Sequence, residues 1–273
     1  MTIPAVLKTP KLYLDGAFVR SESGRVYQPE GQVNVPRASR KDLRDAVRAA
    51  RSAQPGWASR TAYNRGQVIY RVAEMVEASR EELGRALGGG RRARLELDAS
   101  LDALVFFAGL ADKIAQLGGS VNGVAGPYFN FSMPEPSGVV FVVAGERRPF
   151  SPLVTHLAAA ICSGNTAIAL VSQTEPLAGL LLGQALQTGD VPRGTVGLLS
   201  GLGEEILPWV GSHRDISLID CCGCQAQQWR SLAEAASDGV TRVVAPETSD
   251  VPLSPRLALE MTELKTVWHP VGI

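Results

Sequence analysis

The sequence predicts a doubly wound α/β fold, and three observations predict it. Five short, continuous apolar runs occupy the second half of the chain: "GVVFVVA" (138–144), "TAIALV" (166–171), "TVGLLS" (195–200), "ISLIDC" (216–221) and "VTRVVA" (240–245). Unbroken apolarity over so few residues suits strands buried on both faces of a parallel sheet. Helical spacing fills the intervals, at about 150–162, 176–188, 203–211 and 225–237. That alternation is the pattern of a sheet wound by right-handed crossovers, with helices on both faces. A length of 273 residues suffices for one large domain, or a main domain with a small appendage.

The elements before this series follow in order. "KLYLDGAFV" (11–19) is an extended segment folded back at Asp15-Gly16. Residues 30–40 are polar and turn-rich. Ser39 then precedes an apolar spacing through Leu43, Ala46, Val47 and Ala50, an N-capped helix expected to end near Pro55-Gly56. A longer helix is expected from about Thr61 to Leu87, with Val68, Val72, Met75 and Val76 on one face and "GGG" (88–90) as its stop. Another is expected over about 94–117, through Leu101, Leu104, Val105, Phe106 and Ala108. After Ala245 the stretch "PETSDVPLSP" (246–255) is polar and Pro-rich, a linker. Met261 to Trp268 alternates as one more strand, outside the βα series.

Composition narrows the function. Net charge is zero and the pI about 6.8, so no broad field draws the chain to nucleic acid or to an anionic membrane. There is no run of about 18 apolar residues and no leader-like charged head with an apolar core, so neither a membrane span nor a signal peptide is expected. Four cysteines, three of them clustered in "DCCGC" (220–224), do not make a disulfide framework; a reducing, cytoplasmic setting is expected.

Several segments, in order, resemble the NAD(P)-dependent aldehyde dehydrogenase superfamily. "YLDGAFVRS" is similar to its opening strands, and "AVRAARSAQPGWASRTAYNRGQVIYRVAEMVEASREEL" to its first two helices. "AGLADKI" resembles the third helix, "LAAAICSGNTAIAL" the entry to the second sheet strand, "SHRDISLIDCCGC" the "HPDVDKIAFTGS" segment, and "LEMTELKTVW" the C-terminal strand. The resemblance implies a Rossmann-like cofactor domain with N-terminal helices over 1–245, and arm strands about 128–136 within it. It also implies that the 246–255 linker stands in place of the catalytic domain, and that 256–273 carries a C-terminal oligomerisation strand.

Carried over residue by residue, the resemblance leaves no catalytic set. No segment matches the family's nucleophile loop "GQ-x-C". The oxyanion asparagine of "PWN" falls on Arg147 and its tryptophan on Glu146. The ribose-binding Lys and Glu of "KPSE" fall on Leu170 and Gln173, and leucine donates no hydrogen bond. The second glycine after "FTGS" is Gln228, and Glu247 is out of register with the general base. His156, His213 and His269 read as structural or exposed. No cofactor is expected, with weak NAD(P) contact falling to Gly164, Asn165 and Gly223 if any remains. Glu146, Arg147 and Arg148 could hold an anion or plug a vacant cleft, and the sequence does not choose.

Cys221, Cys222 and Cys224 stand at the "FTGS" turn, away from the nucleophile. They read as small, partly buried turn residues, or as a redox pair Cys221/Cys224 activated by the following helix N-terminus. A zinc site is the third reading, and no metal ligands are assigned. The arm implied by the resemblance comprises Tyr128, Phe129 and Phe131 with Glu263, Leu264, Lys265, Thr266, Val267 and Trp268. The expected function is therefore a non-catalytic subunit that stabilises or regulates a complete aldehyde dehydrogenase in a hetero-oligomer. A component of NAD(P)-dependent aldehyde oxidation with a partner-supplied active site, and a thiol redox switch, are the alternatives.

Overall fold

A computed structural model describes residues 9–29, 33–245 and 253–272. The opening hairpin, β1 (Leu12–Leu14) and β2 (Ala17–Val19), turns at Asp15 and Gly16, both at positive φ as the tight turn requires. A small ribbon, β3 (Val26–Tyr27) and β4 (Val35–Pro36), leads to α1 (Arg40–Ala58). Ser39 and Asp42 form the capping box of α1. This helix runs past Pro55 instead of ending there. Only the proline's own N–H is missing, Ser59 N–H still reaches the Pro55 carbonyl at 3.0 Å, and buried Trp57 donates to the Ile161 carbonyl at 2.9 Å.

The long helix expected next is two: α2 (Ala62–Ala78) and α3 (Arg80–Ala86), broken at Ser79, which leaves helical geometry. Gly88, Gly89 and Gly90, all at positive φ, then turn the chain into α4 (Gly90–Leu110). A 3₁₀ turn (Ala111–Lys113) separates α4 from α5 (Ile114–Gly118). Two antiparallel strands follow, β5 (Ser120–Asn122) and β6 (Tyr128–Pro136).

The βα series begins with β7 (Val139–Val143), α6 (Ser151–Cys162) and β8 (Thr166–Leu170). It continues through α7 (Pro176–Thr188), β9 (Val196–Leu199), α8 (Gly203–Gly211), β10 (Leu218–Asp220), α9 (Ala226–Ala236) and β11 (Arg242–Val244). The 246–255 linker is only partly described: residues 246–252 lie outside the described residues. Its end is helical, because Ser254 caps the amide of Arg256 and Pro255 takes the first helical position of α10 (Pro255–Glu260). The last strand, β12 (Thr262–Pro270), runs two residues beyond the expected end.

The main sheet has the order β11-β10-β7-β8-β9-β1-β2. Strands β7 to β11 are parallel to their neighbours, and the β1–β2 hairpin extends the sheet antiparallel beside β9. Chain order reverses between β7 and β10, so the crevice at their carboxyl ends is the switch point. Alternate residues of each strand feed two cores. Val140 and Val142 face the layer of α2, α4, α6 and α7; Phe141 and Val143 face α1, α8 and α9.

A second sheet, β12-β6-β5, stands apart from the first. Strand β12 pairs antiparallel with β6 over nine residues, from Thr262 opposite Pro136 to Pro270 opposite Tyr128. Its root is tied to the main body. Asn165, fully buried, accepts from Gly138 N–H at 2.8 Å and donates to the Met261 carbonyl at 2.9 Å. Arg242 of β11 pairs with Glu263 at 2.9 Å and donates to the Glu260 and Thr262 carbonyls.

Candidate functional site

The switch-point crevice is built by the 144–150 loop after β7, the 171–175 loop after β8 and the 221–225 turn after β10. Glu146 spans the first two loops. One carboxylate oxygen accepts from Ser172 Oγ (2.6 Å), Thr174 Oγ1 (2.6 Å) and Thr174 N–H (3.0 Å), and the other from Gln173 N–H (2.9 Å). Burial alone would raise its pKa; the hydroxyl and amide donors outweigh this and hold it below the ordinary 4.5. Gln173 turns its own side chain to Gly203 N–H at the start of α8.

Because the folded pKa of Glu146 is depressed, its contribution to stability is present above about pH 4.5 and lost as pH falls through the folded value. Glu146→Gln removes that dependence. Acid titration of thermal stability, wild type against the variant, is expected to show a constant separation above about pH 4.5 that narrows progressively as pH falls below it. Parallel curves would contradict the role given to this carboxylate.

The rest of the first loop is fixed from behind. Glu96 of α4, buried, accepts from the N–H groups of Phe150 (2.9 Å) and Ser151 (3.0 Å), and so caps α6. Arg148 donates to Ser151 Oγ at 2.9 Å. The Glu146 carboxylate itself is held by the 172–174 segment.

At the β10 turn the two loops touch backbone to backbone. Gly223 N–H donates to the Val143 carbonyl at 2.9 Å, and a Cβ on Gly223 would meet Gly145 N at 2.1 Å. Gly164 and Asn165 precede β8 and lie at the opposite, amino-terminal edge of the sheet. Thus the three glycine and asparagine residues singled out as a vestigial cofactor site are not brought together. Asn165 is spent on the root of the arm, and Gly223 on the contact between loops.

The cysteines divide between the two cores. Cys221 and Cys224 point into the α8/α9 side, both buried and both free. The expectation of a thiol pKa lowered by the helix N-terminus fails for Cys221. Its hydrogen bond with Cys224 and its burial raise that pKa, which disfavours the reactive thiolate. Cys222 faces the α6 side, partly exposed, and donates to the Val143 carbonyl at 3.3 Å.

Beside Cys222 lies His156 of α6, whose Nδ1 hydrogen-bonds Asp220 Oδ2. Asp220 is 1% exposed, and its other oxygen accepts from Cys222 N–H at 3.0 Å. Burial alone would lower the His156 pKa, but Asp220 and the Cys222 sulfur raise it well above 6.5. Burial pushes the Cys222 thiol up, against the opposing influence of His156. The sequence hid this cluster because His156 sits on a different element, 64 positions from Asp220. Glu247 lies outside the described residues.

The arm residues meet one another. Ser132 bonds Thr266 (2.8 Å), Lys265 pairs with Glu135 (3.0 Å), and the Tyr128 and Trp268 rings meet edge to face at 5.8 Å. Val121, Phe131 and Val267 share one face with Phe129 and Met133. On that face Val121, Phe129 and Met133 are exposed.

Comparison with known proteins places this geometry among relatives. The profile described as "Aldehyde dehydrogenase family" matches residues 20–247. Retinal dehydrogenase 2 of Gallus gallus is 31% identical over 250 residues, covering 86% of this chain and 48% of the relative. D-glyceraldehyde dehydrogenase (NADP(+)) of Picrophilus torridus is 27% identical, covering 86% and 49%. Among solved structures, PnpE from Pseudomonas sp. WBC-3 superposes with a TM-score of 0.80 at 27% identity, over 86% of this chain and 50% of its own. The chain therefore spans about half the length of the curated relatives it matches. No described helix is long and apolar enough to cross a membrane.

Proposed function

The chain belongs to the aldehyde dehydrogenase family, and from that membership we propose that it acts as a non-catalytic subunit, docking its β12-β6-β5 arm onto a complete aldehyde dehydrogenase chain and stabilising or regulating it in a hetero-oligomer. The observation that carries this reading is the arm. It is a preformed three-stranded sheet whose nine-residue strand β12 lies at the edge with no further strand beside it among the described residues, and it has an exposed apolar face. Exposed sheet edges pair readily with another chain, and apolar patches of this kind mark interaction sites.

Two further observations support the non-catalytic half. Between β11 and α10 the chain has only residues 245–254, where the resemblance puts a whole catalytic domain. NAD(P) also fits poorly in the crevice. The Glu146 carboxylate already takes the amides of Gln173 and Thr174, so those donors are not open to a nucleotide, and it sets a negative charge in the crevice. Leu170 offers no donor for a ribose hydroxyl.

Calorimetric titration of the purified chain with NAD and NADP tests this half. No binding tighter than about millimolar, roughly 4 kcal/mol, is expected. Micromolar binding, or reduction of either nucleotide with an aldehyde by the isolated chain, would overturn it.

A further inference from the structure

We propose that His156, Asp220 and Cys222 form a binding site for one Zn²⁺-class divalent ion at the switch point, with a fourth position open to water or to a group from a partner. The three side chains offer one ligand atom each, and these atoms all lie within 4.8 Å of one another. Zinc bonds of about 2.0–2.3 Å at tetrahedral angles set ligand atoms roughly 3.3–3.7 Å apart, so side-chain shifts of about an ångström close the set. On insertion, His156 Nδ1 and Asp220 Oδ2 exchange their mutual hydrogen bond for two bonds to the ion.

The donor set selects the metal. A thiolate with an imidazole favours Zn²⁺ or Co²⁺ over Mg²⁺ and Ca²⁺, which take oxygen ligands. The scaffold is rigid. Asp220 ends β10, Cys222 is held by its N–H on Asp220 Oδ1, and His156 sits within α6. Access exists as well, since Cys222 is partly exposed and the His156 side chain is 12% exposed. A buried carboxylate calls for a cationic partner, and a divalent ion supplies one as the imidazolium does. Binding displaces the Cys222 thiol proton and any proton shared by His156 and Asp220 into solvent. Cys221 and Cys224 take no part, because they point into the opposite core.

The test uses the full-length, metal-free chain and Co²⁺ as probe. One Co²⁺ per chain is expected, with a thiolate-to-cobalt charge-transfer band in the near ultraviolet that Zn²⁺ abolishes stoichiometrically. Cys222→Ser should lose the band. His156→Gln should weaken Co²⁺ binding more than about 100-fold, beyond the ~10–100-fold that loss of an outer-shell partner costs. Cys221→Ser and Cys224→Ser should keep the band. Should a variant fail to fold, alkylation of the wild type replaces it: Zn²⁺ is expected to protect Cys222 from iodoacetamide. Absence of the band in folded wild type, its survival in Cys222→Ser, or failure of Zn²⁺ to protect Cys222 would each overturn the proposal.

Discussion

Gly223→Ala is expected to destabilise the fold by at least about 3 kcal/mol, a drop of roughly 6–12 °C in Tm for a domain of this size. A Cβ at this position would lie 2.1 Å from Gly145 N and 2.2 Å from the Ala144 carbonyl carbon. Both obstacles are backbone, so no side chain can swing aside. The β7 and β10 loops would have to part, which breaks the Gly223 N–H bond to Val143. It would also move the 145–150 loop away from Glu96. Gly56→Ala is the matched control. It lies in α1, where an added methyl group would meet nothing within 4 Å, and should gain about 0.5–1 kcal/mol from reduced chain entropy. Thermal melts of both variants decide the matter. A Gly223→Ala protein melting within about 2 °C of wild type would contradict the close approach.

Charging the apolar face of the arm is expected to abolish association while sparing the fold. The combined variant Val121→Asp, Phe129→Asp, Met133→Asp alters side chains that are 72%, 48% and 41% exposed, so the isolated chain should melt close to wild type. In the proposed hetero-oligomer the same residues lie against the partner. Hot-spot losses of about 2 kcal/mol each do not add fully; a combined loss of about 4 kcal/mol from the three changes is roughly a thousandfold in Kd. Sedimentation of the mixed chains reads the outcome. A variant that associates as wild type does would remove this face from the interface.

Much of the fold was legible because its strands are written as short apolar runs and its helices as capped, periodic ones. The parallel strands and α6 to α9 fall where the runs and spacings put them. What was illegible follows from weaker signals. Pro255 marked a linker, yet Ser254 ahead of it makes the same proline a helix start. Strand β5 is three residues long, below what alternation can reveal. The break at Ser79 leaves the apolar period nearly intact, so α2 and α3 read as one helix.

The candidate site was legible only along single elements. The C-x-x-C spacing drew attention to Cys221 and Cys224, and burial removes them from the crevice. Cys222, the middle cysteine, is the one that meets His156 and Asp220. Strand alternation turns it toward α6, but only the packing of that helix supplies the histidine. Glu146 was one of three charged residues at the β7 end with no assigned partner. Its partners are backbone amides and hydroxyls on the next loop, which no residue pattern announces.

The measurement that bears most directly on the proposed role is the native mass of the full-length protein purified through a tag from its own cells. A defined hetero-oligomer is expected, containing this chain and a complete aldehyde dehydrogenase and persisting through size exclusion. A monodisperse monomer free of any dehydrogenase chain would contradict it.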